Sequence, residues 1–183
     1  MPEDGDTEKI KADIDVWQPT TPEADQKFFD SVALQLRGIK ENYLRRAPSD
    51  PQRPDRIPNS LEYLSKRLRA LQPGDAVPIA RVGNTVVGFI LVRWDEREQR
   101  TQIEQFYVDY AYQGRGIGTE LLDHALRHAR ESRQGTSKGV FLTTGEKNTG
   151  AQRLYKERFG FHPSSTPADD PGEIRMDLDF EKV

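Results

Sequence analysis

Gln113-Gly114-Arg115-Gly116-Ile117-Gly118 is the segment whose residue types and spacing most plainly could do chemistry. Three glycines at alternate positions leave a turn bare of side chains, so backbone N–H groups can approach an anion closely. Arg115 adds a positive charge at the same place. The residues before it, Thr101 to Asp109, carry Ile103, Phe106 and Val108 among polar neighbours and predict a strand. After it, Ile117, Leu121, Leu122, Ala125, Leu126 and Ala129 recur at helical spacing. A helix that starts here adds unpaired donors and the positive end of its dipole. Strand, bare turn and helix start together make a phosphate site. The Walker A pattern fails, because Thr119-Glu120 stands where Lys-Ser/Thr is needed. The dinucleotide fingerprint fails too: its third glycine falls one residue early, and the turn lies past the middle of the chain. On this segment alone, a glycine turn without a ligand stays open.

A second segment carries the argument further. From Asn148 to Phe161, residues Ala151, Leu154, Tyr155 and Phe159 share one helical face; Asn148 is placed to cap that helix and Gly160 to end it. Gly139 to Thr144 is a short apolar strand between the two helices. In this order, the glycine signature followed by Asn148, Ala151, Tyr155, Gly160 and Phe161 resembles the two conserved blocks of the GNAT superfamily of acyl-CoA-dependent N-acyltransferases. The likeness is specific over about residues 102–161 and only topological elsewhere. It implies an α/β (α+β) fold: a single GNAT-like domain with a mixed central sheet of six to seven strands and about four helices. In such a fold two parallel strands, here Thr101–Asp109 and Gly139–Thr144, splay apart at the acyl-CoA site.

The resemblance also assigns roles. Acetyl-CoA is the implied co-substrate, held by Gln113, Gly114, Arg115, Gly116, Ile117 and Gly118 at its pyrophosphate. Backbone groups near Phe106, Tyr107 and Val108 bind the pantetheine arm and polarise the carbonyl, and Asn148 contacts the cofactor. The side chains of Phe106 and Val108 are core by their pattern, so only backbone is claimed there. Tyr155 is the candidate general acid for the departing thiolate; a phenol near pKa 10 can protonate a thiolate of conjugate acid near 8.5. Glu104, read as sharing a strand face with Gln102 and Phe106, is the candidate general base acting through water. A core tyrosine and a solvent-facing glutamate are the plain alternatives for these two. The implied reaction is direct attack of a primary amine on acetyl-CoA in a ternary complex, because no cysteine is present to carry an acyl group. An acyl-CoA-binding sensor without turnover, and a lysine or protein N-terminal acetyltransferase, are the alternatives within the same resemblance.

The elements that must position these residues can be read along the chain. Residues 1–8 form an acidic tail expected to be disordered, and 9–183 the domain. Lys11 to Trp17 predicts the first strand, and Thr21-Pro22-Glu23 opens a helix through Phe28, Val32 and Leu36 toward Leu44. Ala47 to Pro58 carries four prolines and predicts a loop, after which Ser60 caps a helix with Leu61, Leu64, Leu68 and Leu71 inward. Val77–Val82 and Thr85–Trp94 predict a hairpin about Gly83-Asn84. His162 to Gly172 predicts a loop and Glu173 to Phe180 the closing strand.

A chain of 183 residues with 34% hydrophobic and 31% charged residues fits one domain. A net charge of −3 gives no general attraction for nucleic acid. The absence of cysteine excludes disulfides and thiolate metal sites. His124 and His128 lack the glutamate of a zinc-protease helix, since residue 125 is Ala, so no metal is expected. No apolar run reaches spanning length and the N-terminus has no signal-peptide core, so a cytoplasmic protein without a membrane partner is expected. A homodimer stays open. The amine acceptor is a small molecule or a protein. The segment Arg37 to Arg56, with six basic and three acidic residues, is either a solvated loop or a seat for an anionic group on the acceptor, and Asp169, Asp170 and Glu173 hint at a cationic one, so neither decides the acceptor.

Overall fold

The computed structural model describes residues 8–46, 53–132 and 136–181. Its centre is a strand with seven consecutive buried residues, β3 (Thr85–Asp95), which must be covered on both faces. In chain order, β1 (Asp13–Trp17) leads to α1 (Pro22–Phe28), a π-helical turn at Phe29–Ala33, and α2 (Leu34–Arg46). Next come α3 (Arg53–Arg69), β2 (Val77–Val82), β3 and β4 (Arg100–Val108). They are followed by α4 (Ile117–Glu131), β5 (Gly139–Gly145), α5 (Thr149–Arg153) with a π-helical turn at Leu154–Arg158, β6 (His162–Pro163) and β7 (Glu173–Asp179). The seven strands form one mixed sheet in the order β1-β2-β3-β4-β5-β7-β6. Every neighbouring pair is antiparallel except β4 and β5.

The sheet is covered on two sides. Leu121, Leu122 and Ala125 of α4 pack with Ile90, Ile103, Leu142 and Phe161 on one face. Leu36 and Ile39 of α2 and Leu64 and Leu68 of α3 pack with Ile79, Phe89 and Leu91 on the other. All six apolar residues that predicted α4 are buried. That helix lies unusually close to the sheet at its first turns. A Cβ on Gly88 would meet Leu121 Cδ1 at 3.0 Å and the Tyr107 carbonyl at 3.1 Å, and one on Gly118 would meet Phe106 Cζ at 3.4 Å.

Three expectations need correction. The proline-rich loop does not run to Pro58, because α3 begins at Arg53 and Ser60 lies inside it rather than capping it. Pro54 falls in the first turn, where its missing N–H costs nothing, and Pro58 gives up a single helical bond. Buried Ile57 continues the stripe of Leu61, Leu64 and Leu68, and that packing outweighs the lost bond. Second, the loop after α5 contains the short edge strand β6, paired with Asp177 and Met176. Third, Glu104 does not share a face with Phe106, for the reason given below. The expected disordered tail lies, but for Glu8, outside the described residues, as do residues 47–52 of the expected loop.

Candidate active site

The glycine signature is built as a turn between β4 and α4. Asp109 ends the strand, its backbone N–H donating to the Val87 carbonyl at 2.7 Å and its carboxylate accepting from the Ala111 N–H at 2.9 Å. Gln113 folds back, its Nε2 donating to the Val108 carbonyl at 3.1 Å. Gly114 and Gly116 take φ of +74° and +90°, a region that disfavours a side chain. Gly116 is the N-cap of α4 and brings no side-chain acceptor to it. The first N–H groups of a fifteen-residue helix thus face outward over a bare turn.

A hollow of about 370 Å³ opens there, lined by Arg115, Gly116 and Thr119, by the cations Lys9 and Arg158, and by the carboxylates Glu120 and Asp123 farther along α4. Lys9 arrives because the Ile10 N–H donates to the Arg115 carbonyl at 3.3 Å, and Arg158 comes from the π-helical turn after α5. Both cations join the site from distant parts of the chain, so spacing around the signature could not reveal them.

Beside the turn, β4 and β5 part. Their pairing covers only Thr101–Ile103 against Val140–Leu142. Beyond it β5 continues against β7, and β4 against β3, so the two facing edges have no strand between them. A cavity of about 960 Å³ fills the gap, and its lining includes Glu104, Phe106, Tyr107, Gln113, Asn148 and Tyr155. The signature and the second motif therefore meet at one place, as expected. Val108, Gly114, Ile117 and Gly118 line neither hollow: Ile117 is buried in the core, and Gly118 serves the close approach of α4 to Phe106. Asn148 caps α5, its Oδ1 accepting from the Ala151 N–H at 3.4 Å.

A β-bulge sets the directions of the β4 side chains. Leu91 faces Gln105 and Val92 faces Ile103, so Glu104 is the extra residue. After the bulge, Phe106 leans on Gly118 and Tyr155, while Tyr107 lies against Tyr43 and Phe89 on the opposite face. Glu104 turns toward α3. Its Oε1 accepts from the Tyr63 hydroxyl at 2.7 Å and from Arg67 Nε, and its Oε2 accepts from Arg93 Nη1 at 3.4 Å. Its side chain is only 5% exposed. Burial and this hydrogen bond push the Tyr63 phenol up to about 12. Neither Tyr63 nor the two arginines was legible beforehand, since the contacts cross from α3 and β3 to a bulge that no residue type announces.

Tyr155 is buried between Phe106 and Phe161, with ring centroids 6.3 and 5.9 Å away. Burial first, then the phenols of Tyr43 and Tyr107, push its pKa above the ordinary value. It is a proton donor throughout the physiological range. It sits in the π-helical turn, a distortion common at functional sites. Behind the wall lies Lys40, only 2% exposed, its Nζ donating to Gln105 Oε1 at 2.8 Å and to the Ser60 carbonyl at 3.1 Å. Burial lowers its pKa to about 8, against the pull of Glu104. The basic stretch from Arg37 thus includes a core residue rather than only a solvated loop.

The arrangement can hold an extended, anionic, amide-bearing ligand: phosphates on the α4 turn, amides on the open edge of β4, and a reacting end near Tyr155. The family model described as Acetyltransferase (GNAT) family matches residues 39–161. The spermine/spermidine N(1)-acetyltransferase of Bacillus subtilis (strain 168) is 36% identical over 67 residues, 37% of this chain and 42% of that protein. The chain thus spans about two fifths of the length of the curated relatives it matches. Among solved structures, PH1933 from Pyrococcus horikoshii OT3 superposes with a TM-score of 0.63 at 24% identity, over 92% of this chain and 99% of that one. A GNAT family acetyltransferase from Elizabethkingia anophelis with acetyl-CoA bound gives 0.57 at 20% identity, over 93% and 100%. The architecture is theirs, and with the family model covering more than half of its length, this chain belongs to the acetyltransferase (GNAT) family.

Proposed function

We propose that residues 9–183 form a catalytic domain that transfers an acetyl group from acetyl-CoA to a primary amine by direct attack in a ternary complex. One observation carries the reading: the parted β4 and β5 edges open beside the bare N-terminus of α4, and Tyr155 stands in the gap. The pyrophosphate would lie on residues 113–118 with Lys9 and Arg158 nearby. The pantetheine amides would take the place of the missing strand along Phe106, Tyr107 and Val108, with Asn148 at its side. The acetyl carbonyl would accept from a β4 backbone N–H, a preorganised donor worth about 10²–10³ in rate.

Each group then has a task. An alkylamine with pKa near 10.4 arrives as an ammonium. Glu104, through a water, takes that proton and passes it to solvent. Its Oε2 is the freer oxygen, since Oε1 already accepts from Tyr63 and Arg67. The amine lone pair forms the C–N bond, and the C–S bond breaks with its electrons on sulfur. Tyr155 gives its proton to that sulfur and is reloaded by the proton the nitrogen loses as the amide forms. Burial raises the phenol's pKa, but the same dry surroundings raise the thiolate's too, so the transfer stays balanced. The chain has no cysteine for an acyl-enzyme route. The name of the Bacillus subtilis relative supports an amine as acceptor. The test is CoA release from acetyl-CoA in the presence of small amines, lysyl peptides and no acceptor. Amine-dependent release supports the reading; acetyl-CoA binding without release makes the domain a sensor.

A further inference from the structure

Ser60, Tyr63 and Arg67 share one face of α3 at helical spacing, and all three reach the bulge in β4. The Ser60 carbonyl accepts from Lys40 Nζ at 3.1 Å, and the same ammonium donates to Gln105 Oε1 at 2.8 Å. Tyr63 and Arg67 both donate to Oε1 of Glu104. Glu104 and Gln105, successive residues of β4, are thus both gripped from the helix pair α2 and α3.

The two oxygens of Glu104 are not held alike. On Oε1 the Tyr63 hydroxyl, at 2.7 Å, and Arg67 Nε converge. Oε2 meets Arg93 Nη1 at 3.4 Å. That is longer than the about 2.7–2.9 Å of a strong charge-assisted bond. Arg67 engages the carboxylate through one nitrogen, although a guanidinium fork is built to grip both oxygens at once. The last torsion of a glutamate is soft, so one donor alone does not fix the carboxylate plane. A second donor on Oε1 does. Tyr63 is also the donor that opens on the cavity: it is 47% exposed and lines it beside Glu104, whose side chain is 5% exposed. Burial first, then the bond to Glu104, push its phenol up to about 12, so it remains a donor near neutral pH. The charged groups around Glu104 are Arg67 of α3, Arg93 of β3, Lys40 of α2 and Asp75 before β2. Tyr63 is neutral, so losing its hydroxyl leaves these charges in balance.

We infer that Tyr63 is a positioning residue for the acetyl transfer: its hydroxyl holds Oε1 of Glu104, keeps Arg67 from taking both oxygens, and leaves Oε2 open to the water that carries the amine's proton. This rests on the acetyl-transfer reading with Glu104 as base. Tyr63 itself neither gains nor loses a proton in the reaction.

The experiment is a double-mutant cycle of Tyr63→Phe and Glu104→Gln in the full chain, with butylamine, or a faster alkylamine from the CoA-release test, as acceptor. At about pH 7, Tyr63→Phe is expected to lower kcat about tenfold, part of the 10²–10⁴ a general base supplies, with the KM for acetyl-CoA unchanged. The loss should shrink toward about pH 10, where more of the amine arrives neutral. Added to Glu104→Gln, the same change should alter kcat less than about twofold, because both act through one group. Arg67→Lys added to Tyr63→Phe should restore part of the rate, since an ammonium lacks the fork. An unchanged kcat, an equal loss in both backgrounds or at every pH, or no restoration by Arg67→Lys overturns this inference and leaves acetyl transfer standing. A Glu104→Gln enzyme as fast as wild type overturns it together with the base assignment. Absence of CoA release with every amine overturns acetyl transfer as well.

Discussion

The proposed reaction asks Tyr155 and Glu104 for opposite proton transfers, and their surroundings differ. Tyr155 is ringed by Phe106 and Phe161 and stays protonated; Glu104 lies beside two guanidinium groups. Tyr155→Phe keeps the packing and removes only the proton, so turnover should fall by about 10²–10⁴ with acetyl-CoA affinity nearly unchanged. Steady-state rates beside a binding isotherm check this, and an undiminished rate under chemistry-limited conditions would make Tyr155 a packing residue. Glu104→Gln should cost most near neutral pH with a high-pKa amine. The loss should shrink as pH rises, because the amine then arrives neutral. A pH profile equal to wild type would move the base elsewhere. Lys40 gives a prediction about stability. Burial holds its pKa near 8 in the folded chain, below its ordinary 10.5, so the unfolded chain binds the extra proton between those values. Wild-type stability should therefore rise relative to Lys40→Met as pH climbs from about 8 to 10.5, by on the order of 2 kcal/mol. Urea unfolding of both proteins at the two ends of that window measures it, and a pH-independent difference would mean that Lys40 titrates normally.

At the scale of elements, the turn into α4 carries the cofactor claim. Gly116 at φ +90° is strained by any side chain, so a charge effect must be separated from strain. Asn tolerates this conformation better than most residues and matches Asp in shape. A saturating ligand at a hundredfold its Kd stabilises the native state by about 2.7 kcal/mol. Acetyl-CoA should therefore raise the Tm of wild type and of Gly116→Asn but not of Gly116→Asp, as followed by thermal denaturation. A full shift in the folded Asp variant would remove the pyrophosphate from this turn. This turn was legible in the sequence because its determinants are local: three glycines, a preceding strand and six apolar residues at helical spacing. Asn148 as a cap was legible for the same reason. The start of α3 was not, because the breaking power of Pro54 and Pro58 was weighed without the burial of Ile57 that offsets it. Nor was the bulge at Glu104, since an extra residue in one strand is defined only by the register of its partner. Once the bulge is present, the face assigned to Glu104 by simple alternation is wrong. Its contacts with Tyr63 and Arg67 follow from α3, 37 to 41 residues away in sequence.

At the scale of the whole molecule, the chain brings three distant pieces to one opening: the turn after β4, the π-helical turn after α5, and the loop before β7. The sheet order makes this necessary, because β5 must leave β4 to follow β7 while β4 stays with β3. In the proposed reaction this opening holds donor and acceptor together, with no covalent intermediate between them. The most direct test of that claim is the initial rate of CoA release as acetyl-CoA and an amine acceptor are varied together. A ternary complex predicts intersecting double-reciprocal lines and no CoA release until the amine is added. Parallel lines with a burst of CoA in the absence of amine, or no amine-dependent release at any concentration, would contradict it.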